Sequence, residues 1–154
     1  MADAHEIIPG VYLSNYQFAS NYPLLKQLGI THILNCAGEM KAPPPSYFKY
    51  YSLNLNDVPT ENIAKYFGPA KQFIDSALQN NGKIVIHCYA GISRSVTILV
   101  SYLMAKYRLS PDETIRRVQS IRRVANPNIG FRKQLDGYFN WLQTNTAVPM
   151  DVSA

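Results

Sequence analysis

Two cysteines, Cys36 and Cys88, are all that the 154 residues contain, too few for a disulfide framework. In a chain long enough to bury a core they are expected as free thiols in a reducing compartment. Long apolar runs are also missing. The longest, Val96 to Tyr107, is broken by Ser101 and Lys106 and falls short of the roughly 20 residues a bilayer-spanning helix needs. No segment repeats, and the one low-complexity patch is the short "KAPPPSY". The opening "MADAHEII" has no basic segment ahead of an apolar one, and Ala2 stands where a myristoylation signal needs glycine. These absences lead us to expect a soluble, cytoplasmic protein, with the nucleus as a second compartment and no stable membrane insertion. The eleven tyrosines scatter without interleaved basic residues, so no stacking platform and no nucleic-acid partner are expected.

What is present is a chain 47% hydrophobic with a formal charge of +5. That is enough apolar content for one domain, and a bias toward anionic partners. We place the domain at residues 1–145 and expect a flexible tail over 146–154. Strands are expected at Val11–Asn15, Ile30–Asn35, Tyr47–Leu55 and in the apolar "IVIH" that precedes Cys88. Asn21, Pro23 and Gly29 mark the start and end of a short helix. Ile63, Phe67, Ala70, Ile74, Ala77 and Leu78 form the stripe of another, which Gly68-Pro69 should kink. From Ser95 onward the pattern is helical. "SVTILVSYLMAKY" is apolar nearly all round, as in a buried helix, and Ser110, Pro111 and Glu113 open the next one as a capping box. Phe131, Leu135, Tyr138 and Leu142 line a last helix. Strands interleaved with helices, then helices alone, indicate a single α/β domain with a central, mostly parallel sheet flanked by helices.

The stretch "IVIHCYAGISRSVT" carries the chemistry. A buried strand ends at His87-Cys88, a loop of Tyr89, Ala90, Gly91, Ile92 and Ser93 follows, and Arg94 and Ser95 begin a helix. Gly91 permits a tight curl, so several backbone N–H groups can converge near the positive end of that helix. Such a ring binds a tetrahedral oxyanion, and Arg94 closes it with a planar, permanently charged fork. The same field favours the thiolate of Cys88. The pattern therefore grips a phosphoryl group and holds a nucleophile beneath it. A leaving alkoxide or phenoxide also needs an acid, expected on a separate mobile loop above the pocket. Asp57, in the turn-rich "NLNDVPTEN", is the first candidate and Glu61 the fallback, while Asp75 falls within a helix and is expected as solvated surface.

These residues carry a resemblance. "HCYAGISRS" resembles the His-Cys-x5-Arg-Ser/Thr signature of the cysteine-dependent protein tyrosine phosphatases, and "AGISRS" is similar to the loop of their dual-specificity branch. The likeness spans nearly the whole chain. "IIPGVYLSN" and "GITHILN" resemble that branch's opening strands, Asp57 stands 31 residues before Cys88, and "ANPNIGFRKQL" resembles its closing segment. With no kinase-docking domain attached, the chain looks like a small, atypical member. The resemblance implies a protein tyrosine phosphatase-like fold and hydrolysis of phosphotyrosine and phosphoserine or phosphothreonine in proteins, with no metal or cofactor. Cys88 would form a phosphocysteine, Arg94 and the loop would bind phosphate, and Asp57 would act as acid and then base. Ser95 would ease departure of the sulfur, and His87 would steady the loop without acting as an acid.

Other readings stand beside this one. A phosphoinositide phosphatase would be expected to carry lysines in the loop, where Tyr89, Ala90, Ile92 and Ser93 are neutral; an RNA 5′-triphosphatase is disfavoured on the same ground. A non-catalytic phosphoprotein-binding module would be expected to have lost the nucleophile, the arginine or the acid, and all three are present. Cys36 is expected as a buried small hydrophobe, with a reversible disulfide to Cys88 as the minor alternative. His5 and His32 have no partner pattern and are expected at the surface or an edge. Asn128 resembles a family position that braces the phosphate loop, with a cap on the last helix as the alternative. Arg116, Arg117, Arg122 and Arg123 form a basic stripe, either a solvated face or a docking surface for acidic partners.

Overall fold

The computed structural model describes residues 3–40 and 42–145. The tail expected at 146–154 lies outside the described residues. Five strands, β1 (Ala4–Ile8), β2 (Val11–Ser14), β3 (His32–Asn35), β4 (Lys49–Ser52) and β5 (Ile84–His87), form one sheet in the order β1-β2-β5-β3-β4. Only the β1–β2 pair is antiparallel. The mostly parallel α/β architecture expected from the sequence is therefore what forms. β5 lies at the centre, and its neighbours run level with it, so that Ser14, His87 and Asn35 share one row at the carboxyl ends of β2, β5 and β3. That edge is where open α/β sheets place their ligands.

The central strand is apolar because both faces are covered. Val85 packs with Phe18, Leu25, Ile30, Ile33 and Phe48 beneath α1 (Tyr16–Ala19) and α2 (Tyr22–Gln27). Ile84 and Ile86 face the larger core made with α3 (Phe67–Gln79), α4 (Arg94–Tyr107), α5 (Pro111–Ile121) and α6 (Ile129–Asn145). α4 runs through the middle of that layer, with every residue from Arg94 to Met104 buried. Each fully buried leucine, isoleucine or valine stabilises the fold by about 1.5–3 kcal/mol relative to exposure, so this helix anchors the carboxyl edge of the sheet. Tyr102 on α4 donates to Asp75 Oδ1 at 2.8 Å, and Lys71 holds the other oxygen of Asp75 at 2.8 Å. Asp75 is thus a brace between α3 and α4, not the solvated surface residue expected.

Local signals explain most boundaries. Asn21 Oδ1 accepts from Leu24 N, and Ser110 Oγ accepts from Glu113 N at 3.2 Å. Half of the capping box forms at α5, since the Glu113 carboxylate pairs with Arg116 and Arg117 in place of folding back. Gly68-Pro69 does not kink a long helix. The break falls earlier, where a 3-10 turn at Ala64–Tyr66 ends and Pro69 enters the first turn of α3, a position in which its missing N–H costs nothing. β1 and α1 are elements the sequence pattern does not announce. His32, expected at an edge or surface, is 8% exposed and its ring packs edge-on against Phe73.

Candidate active site

β5 delivers Cys88 to the carboxyl edge of the sheet, and the loop from Tyr89 to Ser93 returns the chain into α4. Gly91 has φ +71, a left-handed conformation open to glycine without a Cβ penalty. A Cβ there would meet Ser14 O and Arg122 Nη2, each at 2.6 Å. Cys88 is 3% exposed, with Ser95 Oγ 3.1 Å from its Sγ and the Gly91 N–H donating to the sulfur at 3.2 Å. Ser93 makes no side-chain cap to α4, so the first-turn N–H groups lack a local acceptor of their own. Tyr89 and Ile92 are exposed at the loop's rim.

Every carbonyl of the loop is held from outside. The His87 ring Nδ1 lies 3.2 Å from Cys88 O. Tyr89 O accepts from Tyr16 N at 2.9 Å, and Ile92 O from Asn126 N at 2.7 Å. Ala90 O and Gly91 O both accept from Arg122, and Ser93 O accepts from Thr97 Oγ1 at 2.7 Å. A planar trans peptide points its N–H opposite to its C=O, so a loop gripped by its oxygens turns its N–H groups the other way.

Arg94 is 8% exposed and its fork is already oriented. Nη1 donates to Glu39 Oε1 at 2.7 Å and to Leu55 O at 3.0 Å, and Nη2 donates to Glu39 Oε2 at 2.9 Å. The remaining donors, Nε–H and the second N–H of Nη2, share the other edge of the plane, the edge a tetrahedral anion would take. The hydrogen bond from Arg94 holds the Glu39 carboxyl below its ordinary range, with partial burial opposing, so Glu39 is charged at neutral pH. Glu39 is a residue sequence reasoning missed. It lies 55 positions from its partner in a short loop with no periodic signal.

Asp57 is exposed on the loop after β4, and its Oδ1 accepts from Asn128 Nδ2 at 2.9 Å. Asn128 does both things expected of it: its N–H donates to Ser93 Oγ at 3.0 Å, and its Oδ1 accepts from Phe131 N at the start of α6. One side chain therefore links the acid loop, the phosphate loop and the last helix. Gly130 lies against the Pro59 backbone so closely that any Cβ would overlap it. Glu61, the fallback acid, is occupied elsewhere: its Oε1 accepts from Asn56 N at 2.8 Å, bracing the base of the same loop. Cys36 is fully buried beside Cys88 and remains a free thiol whose pKa burial pushes well up, the neighbouring sulfur adding to this and Arg94 opposing it.

Residues 11–140 match the family model described as "Dual specificity phosphatase, catalytic domain". The chain belongs to that family. It is 42% identical over 134 residues to "MAP kinase phosphatase with leucine-rich repeats protein 3" of Dictyostelium discoideum, a match covering 86% of this chain and 16% of that protein. It is 40% identical over 126 residues to "Dual specificity protein phosphatase 1" of Arabidopsis thaliana, covering 82% of this chain and 64% of that protein. The chain thus spans less than two thirds of either relative. Among solved structures, the human tyrosine phosphatase-like serine/threonine/tyrosine-interacting protein superposes with a TM-score of 0.86 at 35% identity, covering 91% of this chain and 97% of that one.

The expected basic stripe needs correction. Arg116 and Arg117 are exposed and paired with Glu113, and Arg123 is exposed. Arg122 is fully buried: α5 ends one residue before it, and its side chain turns inward to the phosphate loop. His5, expected without a partner, lies 3.0 Å from Arg122 Nη1.

Two outcomes follow from this geometry. Burial presses the His87 imidazole down to about 4, with its bond to Cys88 O opposing and the Arg94 charge adding to the depression. The unfolded chain then takes up this proton first, so stability should fall as pH drops from about 6.5 toward 4, by up to about 3 kcal/mol, and this component should be flat above that window. Urea unfolding of wild type and His87→Gln across that range tests it; parallel curves for the two proteins would remove the assignment. Gly130→Ala should push the Pro59 backbone, and Asp57 with it, away from the phosphate loop. Turnover of aryl phosphates should drop about ten- to a hundredfold, since small misplacements at a reacting centre cost that much. An unchanged kcat would show that the acid loop is indifferent to this contact.

Proposed function

We propose that this domain hydrolyses phosphotyrosine and phosphoserine or phosphothreonine in proteins through a phosphocysteine on Cys88. The observation that carries the reading is the Ala90–Gly91 peptide, whose N–H lies 3.2 Å from the Cys88 sulfur at the base of the loop. An amide aimed at sulfur stabilises the thiolate, the form that attacks phosphorus. The sulfur would form a bond to phosphorus as the P–O bond to the leaving group breaks. The free edge of Arg94 and the loop N–H groups would bear the charge on the non-bridging oxygens. Asp57 would give its proton to the leaving oxygen, then accept one from the water that attacks the phosphocysteine. Ser95, 3.1 Å from Sγ, would donate to the sulfur as the P–S bond breaks. His87, buried and neutral at physiological pH, would position the loop. Glu39 would hold the Arg94 fork in register.

The neutral rim formed by Tyr89 and Ile92 favours singly phosphorylated side chains over polyphosphorylated headgroups, and phosphorylated proteins in the cytoplasm or nucleus are the expected substrates. The human structural relative is named an interacting protein, which favours a second reading as a phosphoprotein-binding domain. Turnover separates the two. Cys88→Ser should abolish hydrolysis of para-nitrophenyl phosphate while retaining phosphate binding; full activity in that variant would end the phosphocysteine mechanism. Asp57→Ala should slow hydrolysis about a hundredfold or more for poor leaving groups and far less for para-nitrophenolate. An equal loss across a leaving-group series would point to another acid.

A further inference from the structure

Among the described residues Arg122 is the largest fully buried side chain, and its guanidinium is held between the phosphate loop on one side and Asp3 and His5 on the other. Nε donates to Gly91 O at 2.8 Å and Nη2 to Ala90 O at 3.1 Å. On the far side, Asp3 Oδ2 lies 2.9 Å from Nη2, and His5 Nδ1 lies 3.0 Å from Nη1. Asp3 is itself tied to the end of β2, its N–H donating to Asn15 Oδ1 and its carbonyl accepting from Asn15 N.

We propose that Arg122 is a positioning residue for the phosphate loop, held in place by Asp3 and His5 at the first strand. The proposal rests on the phosphatase reading of the loop. Its physical content lies in two consecutive peptide planes. The Ala90–Gly91 peptide has its C=O on Arg122 and its N–H on Cys88 Sγ, so the guanidinium on one side fixes the dipole that faces the sulfur on the other. The Gly91–Ile92 peptide has its C=O on Arg122 as well, which turns the Ile92 N–H away from Arg122. Gly91 is the residue best able to flip these planes, since it alone in the loop crosses freely between positive and negative φ. A flipped plane would aim a carbonyl oxygen at the thiolate or at a bound phosphate, where like partial charges repel. Arg122 opposes that flip with two donors from one rigid fork, which a lysine, a single point charge, cannot reproduce. A buried cation is stable only when paired, and Asp3 supplies the pairing charge from a side chain that is 42% exposed.

The test measures anion binding directly, with inorganic vanadate as the probe in calorimetry, beside kcat and KM on an aryl phosphate. Arg122→Met, which keeps bulk and removes the donors, should weaken vanadate binding about tenfold or more and lower kcat by a similar factor. Arg122→Lys should recover only part of both. Arg122→Ala should regain affinity with millimolar methylguanidinium and not with methylammonium, a rescue that repair of packing alone would not show. Asp3→Asn leaves the arginine in place and should weaken vanadate binding about threefold, with a smaller fall in melting midpoint than Arg122→Met. Unchanged vanadate affinity in folded Arg122→Met and in Asp3→Asn overturns the proposal. Because vanadate binding needs no turnover, a wild-type protein that binds vanadate without hydrolysing substrate would sink the phosphatase reading and leave the brace to be judged by the variants.

Discussion

A loop that binds an anion with its N–H groups must surrender its carbonyls to the protein behind it. Peptide planarity leaves no alternative, and a carbonyl left dry and unpartnered costs as much as a lost hydrogen bond. The loop carbonyls are met from several parts of the fold: Tyr16 at the start of α1, Arg122 after α5 (which takes two of them), Asn126 before α6, Thr97 within α4 and the ring of His87. The order β1-β2-β5-β3-β4 serves this requirement, because it sets β5 in the middle and brings β2 up to one side of Cys88. The segment Arg122–Asn128, irregular between two helices, follows the outer contour of the loop.

The second constraint is the orientation of a long cationic side chain. Arg94 is buried at the start of α4 and would be costly there as an unpaired charge. Glu39 and Leu55 O take one edge of its guanidinium, which both offsets the charge and presents the other edge in a fixed plane. Since Glu39 sits just after β3 and Leu55 just after β4, the arginine also reports on the alignment of the two strands beyond β5. The orientation of the guanidinium and the sheet register are thus linked through a single side chain.

What was legible in the sequence was whatever is encoded at short range. Cys88 and Arg94 are six positions apart on one strand–loop–helix unit, and the apolar "IVIH" and "SVTILVSYLMAKY" on either side state their own burial. Asp57 stood out because turn residues surround it. The supporting residues were opaque for identifiable reasons. In "IRRV" the arginines look like a helix's wet face, and only the end of α5 at Ile121 turns Arg122 inward. Glu39 meets Arg94 across 55 residues, and His5 lies in a strand, "AHEII", whose burial does not alternate cleanly, with Asp3 just ahead of it. Asp75 looked like a solvated charge because its partner Tyr102 belongs to the following helix, α4, 27 residues away. Contacts of that span leave no periodic trace.

The contact between Gly130 and the Pro59 backbone, with Asn128 reaching Asp57 from the same helix start, wedges the acid loop from one side while Glu61 pins its base. A loop so buttressed is wedged in place from two sides. On the proposed phosphatase reading the entrance would be a standing doorway, and discrimination between phosphorylated side chains would fall to how far each can reach past Tyr89 and Ile92 to the floor. Length and girth of the incoming residue would then be the selective quantities.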